Sequence, residues 1–125
     1  MKRATGEWID KAEGDYAVAG REFAVAHPVF DAVCFHAQQC AEKYLKALLQ
    51  EHGVAFPRTH DLVALVALAE GAAPALASLR PELARLTAFA VAPRYPGTST
   101  TRADADAAMK AARCARNALR MVLGL

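Results

Sequence analysis

A chain of 125 residues, 54% hydrophobic and 22% charged, carries enough apolar side chain to build a core and too little length for a second one, which excludes a disordered segment and a two-domain protein. A net charge of +2, from 15 basic and 13 acidic residues, is too mild to mark a nucleic-acid or anionic-membrane binder by charge alone. No apolar run approaches the roughly 18 to 20 residues of a membrane span, and the stretch Met1 to Glu7 lacks the apolar region of a signal peptide, so the expected location is the cytoplasm.

Alanine, the strongest helix former, supplies roughly a quarter of the chain, while β-branched and aromatic residues are too scattered for alternating strands. The expected class is all-α, with residues 1–125 forming one domain. A first helix is predicted from Thr5 to about Ala26, with Ile9, Ala12, Tyr16, Ala19 and Phe23 inward, Thr5 as its N-cap and His27-Pro28 as its stop. Pro28 suits the first turn of a second helix carrying Phe30, Cys34, Ala37, Ala41, Tyr44, Leu45 and Leu48 inward, until Gly53 supplies a left-handed end. Thr59 is placed to cap a third helix with Leu62, Leu65, Val66 and Leu68 inward, ending at Gly71. A short fourth helix starts near Pro81, with an extra helical turn over residues 75–79 before it. The segment Pro93 to Thr100, with two prolines and a glycine, reads as a loop. The last helix, from about Arg102 to Leu123, turns Ala108, Ala111, Ala115, Ala118 and Val122 inward, with Asp104 and Asp106 near its positive end and Arg116 and Arg120 near its negative end. Together these make an antiparallel up-and-down bundle of four main helices plus a short one. Cys34, Cys40 and Cys114 have no Cys-x-x-Cys spacing and read as small buried hydrophobes, neither a disulfide framework nor a zinc site.

On the second helix, at about 100° per residue, Phe35, His36, Gln39, Glu42, Lys43 and Lys46 fall within one polar arc of roughly 120°. Glu42 with Lys46 has the spacing of an ordinary surface pair, and Gln39 and Lys43 can be plain solvating residues. Phe35 argues for more, because a large aromatic on a polar arc leaves apolar area in water unless a partner, such as a second copy, covers it. His36 is a candidate general base or nucleobase partner as well as an ordinary surface histidine. In the loop, Arg94 stands ahead of a helix N-terminus, where it can bind phosphate, or can pair with a carboxylate such as Glu42 while Tyr95 packs as a lid. His60 joins the same pocket as His36 if the third helix begins near the second. No cofactor and no metal site is expected, since the four histidines show no ligand spacing.

Four blocks, Trp8 to Asp15, Asp31 to Ala47, Thr59-His60-Asp61-Leu62 and Pro93-Arg94-Tyr95-Pro96, resemble in order and spacing the prokaryotic HEPN domain family over nearly the whole chain. The resemblance implies a helical bundle that dimerises, a polar cleft linked to nucleotide or RNA binding, and, in some members, ribonuclease activity or a small nucleotidyltransferase-like partner in toxin–antitoxin pairs. It assigns the cleft to Gln39, Glu42, Lys43, Lys46, His60, Arg94 and Tyr95. Nuclease members carry an Arg followed four to six residues later by a His at the start of the last helix, and the last helix here has no histidine. The expected function is therefore a non-catalytic nucleotide- or RNA-binding homodimer, with a ribonuclease using His36 or His60 in a different geometry, and a protein-interaction module anchored by Phe35, as the alternatives.

Overall fold

A computed structural model of the chain describes residues 1–90 and 95–125, and every regular element among them is helical. They are α1 (Arg3–Ala24), α2 (Phe30–Glu51), α3 (Leu62–Ala69), a 3-10 helix (Pro74–Leu79), α4 (Arg80–Thr87) and α5 (Arg102–Val122). No helix among these residues is long and apolar enough to cross a membrane.

Helices α1 and α2 run antiparallel. Lys2 and Thr5 at the start of α1 bond Glu51 at the end of α2, and Glu22 near the end of α1 accepts from the Val29 N–H just ahead of α2. Helix α5 lies beside α2 in the same direction, since Thr100 bonds Asp31 at one end and Arg120 bonds the Tyr44 hydroxyl further along. The shorter α3 and α4 cover another flank of α2, with the start of α3 tied to the end of α4 by Leu62 N–H donating to Thr87 Oγ1 at 3.1 Å. This makes α2 the central element. Tyr44, Leu45, Leu48, Leu65, Leu83, Leu86 and Leu119 are fully buried around it, and the small residues Ala105, Ala108, Ala112 and Ala115 let α5 approach closely. Burial pushes the Cys34 thiol up to about 11 and the Cys40 thiol up to about 12, which leaves both as inert apolar groups.

Several local expectations change. Thr5 is a buried residue inside α1, where its hydroxyl donates to Glu51 Oε1 at 2.8 Å, and Lys2 occupies the N-cap. Pro28 precedes α2, whose N-cap is Val29. Asp61 caps α3, accepting from the N–H groups of Val63 and Ala64, while the Asp61 N–H donates to Thr59 Oγ1. Cys114 is exposed, and Leu119 takes the inward place expected of Val122, which is exposed. The left-handed Gly53 (φ 66°) after α2 and the Thr101–Asp104 capping box opening α5 set the ends of those two helices.

Candidate functional site

The middle of α2 is covered by α1 on one flank and by the 52–61 connection on another, so its polar arc faces protein as well as solvent. Asp15 arrives from the buried stripe of α1 that also holds Ala12 and Ala19. Its Oδ1 accepts from His36 Nδ1 at 2.7 Å and its Oδ2 from Lys43 Nζ at 2.5 Å. One turn away, Glu42 is 3% exposed and accepts from four donors. Its Oε1 takes His60 Nδ1 at 2.8 Å, Gln38 Nε2 at 3.2 Å and Gln39 Nε2 at 3.4 Å, and its Oε2 takes Lys46 Nζ at 3.0 Å. Gln38 also donates to the backbone carbonyl of His60 and accepts from Gln39, fixing the loop that carries the histidine.

The same chemical unit thus occurs twice: a buried carboxylate holding one histidine by Nδ1 and one lysine by its ammonium. A carboxylate can only accept, so each Nδ1 carries its proton and each Nε2 is left as the ring's other functional nitrogen. Among the described residues neither Nε2 makes a hydrogen bond, and the side chains of His36 and His60 are 30% and 52% exposed. With neutral imidazoles the two carboxylates and two ammoniums balance. Lys46 also lies 5.6 Å from the ring centre of Trp8 and 6.0 Å from that of Phe56, within cation–π range, and the two rings meet edge to face.

Glu42, Lys46, Gln39 and His60 come together as one cluster, and His36 with Lys43 forms the neighbouring one through Asp15. Glu42 and Lys46 are a buried pair and not a surface pair, and Gln39 is buried too, so the solvating role considered for it does not hold. Phe35 is half-buried with its ring edge-on to His36. Tyr95 is 60% exposed and is no lid. Arg94 lies outside the described residues. Sequence reasoning missed Asp15, Gln38, Trp8 and Phe56. For Asp15 a signal existed, an acidic residue in register with the apolar stripe Ile9, Ala12 and Ala19.

A second ionic cluster joins α1 to α5. Arg116 holds Glu13 with two bonds of 2.9 and 2.7 Å, Arg120 adds a third at 2.9 Å and bonds the Tyr44 hydroxyl at 3.0 Å. The hydrogen bonds from Arg116 hold the Glu13 carboxyl below the usual carboxylate range and raise Arg116 in turn.

A model of the HEPN domain matches residues 5–123. The chain belongs to the HEPN family. Among solved structures, this HEPN chain is similar to TT1696 from Thermus thermophilus, at 19% identity and a TM-score of 0.84 over 97% of this chain and 99% of that one, a likeness of fold. It is also similar to ST0689, described as an archaeal HEPN homologue, at 28% identity and a TM-score of 0.76 over 96% and 97% of the two chains. No curated protein matches it significantly.

Proposed function

We propose that this HEPN domain binds the phosphate and base of a nucleotide or of RNA at the α1–α2 polar cluster, without cleaving it. The observation that carries the reading is the repeated unit of Asp15 with His36 and Lys43, and Glu42 with His60 and Lys46. It holds two ammonium groups and two outward imidazole nitrogens along about 15 Å of one helix face. A phosphate with several acceptor oxygens fits the two ammonium groups, which supply charge and donors, and a base fits the outward imidazole nitrogens, which can accept from its N–H groups. Gln39, Tyr95 and Arg94 complete the proposed set of ligand-binding residues. The reading extends to a cytoplasmic homodimer with Phe35 at the contact, and to a small nucleotidyltransferase-like partner of the toxin–antitoxin kind. The test is thermal melting of the purified protein with ATP, GTP, their diphosphates and a short RNA. A ligand at 100 times its dissociation constant stabilises by about 2.7 kcal/mol, and no shift with any of them removes the reading.

A second reading, an RNA-cleaving site, is favoured by one feature: both imidazoles are oriented at Nδ1 by a buried carboxylate, the arrangement that readies Nε2 to accept or return a proton. Cleavage of a structured RNA that disappears in His36→Ala and His60→Ala would establish it. Cleavage unchanged in both would sink it.

A further inference from the structure

Beside the polar cluster, the surface of α1 has a shallow depression of about 240 Å³ bordered by Ala4, Glu7, Trp8 and Lys11, one helical stripe. Trp8 is half-buried: the Phe56 ring meets it edge to face and Lys46 lies over it from α2, and neither residue borders the depression. One side of the indole is therefore packed into the site and another faces open space. Lys11 is exposed and makes no ion pair among the described residues, whereas Glu7 pairs with Arg3. The volume falls below the roughly 300 to 1,000 Å³ of pockets that enclose a drug-sized ligand, which suits one flat ring system resting against an aromatic wall.

We propose that the open side of Trp8 is a base subsite, where a nucleobase stacks on the indole and its phosphate meets Lys11. This inference rests on the nucleotide-binding reading above and extends it from the polar cluster over the outer surface of α1. Trp8 and Asp15 are seven residues apart, about 10 Å along the helix axis, so a ligand that stacks on Trp8 and also reaches Lys43 spans more than one phosphate. Stacking on an aromatic side chain tolerates any base, which predicts weak base preference at this position. The shared chemistry, base plus phosphate, can come from a free nucleoside monophosphate or from single-stranded RNA.

Trp8 is the chain's single tryptophan, so all indole emission comes from this residue, and the Trp8 variants separate stacking on it from binding at the neighbouring polar cluster. Wild-type protein is titrated with AMP and with an oligoadenylate while indole emission is recorded, and affinity is measured independently by anisotropy of a labelled oligoadenylate. The expected result is saturable quenching, by AMP if free nucleotides are the ligand and by the oligoadenylate alone if RNA is. Trp8→Leu should weaken binding by roughly 5- to 150-fold, and Trp8→Phe, which keeps a stacking ring, by much less. If Trp8→Leu fails to fold, quenching in the wild type and the affinity of Trp8→Phe decide. Binding with no change in indole emission and equal affinity in the variants overturns the subsite and leaves the polar-cluster reading standing. No binding by either method ends both.

Discussion

Glu13 and Glu42 are both carboxylates that gather several donors, yet they leave different things behind. Around Glu13 the donors are two guanidinium groups, bound to the carboxylate and to the Tyr44 hydroxyl, and Arg116 additionally lies 4.7 Å from the centre of the Tyr16 ring. Arginine has donors and no acceptor, so nothing in that cluster can take a proton or change charge near neutral pH. Around Glu42 and Asp15 the donors include imidazoles, each of which keeps one nitrogen free for a second partner. A cluster of guanidinium groups works as a tether between α1 and α5, whereas one of imidazole and ammonium groups retains chemistry for something that is not part of the chain.

The largest test of this difference is stability. Glu42 and Lys46 are nearly inaccessible, so Glu42→Leu leaves a buried ammonium without its partner and takes one of two acceptors from each of Gln38 and Gln39, and the expected loss is about 3–5 kcal/mol in urea unfolding. Glu13→Gln, in a cluster that is a quarter to a third exposed, should cost only about 1 kcal/mol. Equal losses would erase the distinction. A sharper separation comes from ligand response: Lys43→Met keeps the aliphatic stem and removes the ammonium, so it should abolish most of the roughly 2.7 kcal/mol stabilisation by a saturating ligand. Arg116→Gln should leave that stabilisation intact. If the two variants respond alike, the Asp15 cluster is a tether too.

How much of this can be read from residues alone differs along the chain. Helical spacing and Gly53 suffice for the helices of the described residues and their approximate ends, because they depend on local backbone preferences. The α2 arc is also legible as a set. What a helical wheel cannot supply is the environment of that arc: it divides α2 into an inner and an outer side, but α2 packs against α1, α3, α4 and α5, so much of its polar side is inner as well. Hence Gln39 looks like a solvating residue, and Lys46 with Glu42 like a surface pair, and all three prove buried. Partners such as Asp15, Gln38 and Trp8 depend on which segment lies over α2, a fact of tertiary packing. The cap of α3 shows the same limit at short range. Thr59 and Asp61 are both good cap residues, and the contact of Leu62 N–H with Thr87, across the α3–α4 pair, accompanies the choice of Asp61.

The smallest expected effect concerns pH. The Glu13 carboxyl is held low, first by its hydrogen bonds from Arg116, so the unfolded chain takes up a proton there at a higher pH than the folded one. The stabilisation from this site is complete above the ordinary carboxylate range, near 4.5, and is lost as pH falls through the lower folded value. The stability difference between wild type and Glu13→Gln should therefore be constant from neutral pH down to about 5 and shrink below it. Urea unfolding of both proteins at a series of acid pH values measures it. A gap that instead closes between pH 5 and 8, where histidine titrates, would mean that the α1–α5 cluster is coupled to His36 or His60, and the tether and the candidate site would then be one network.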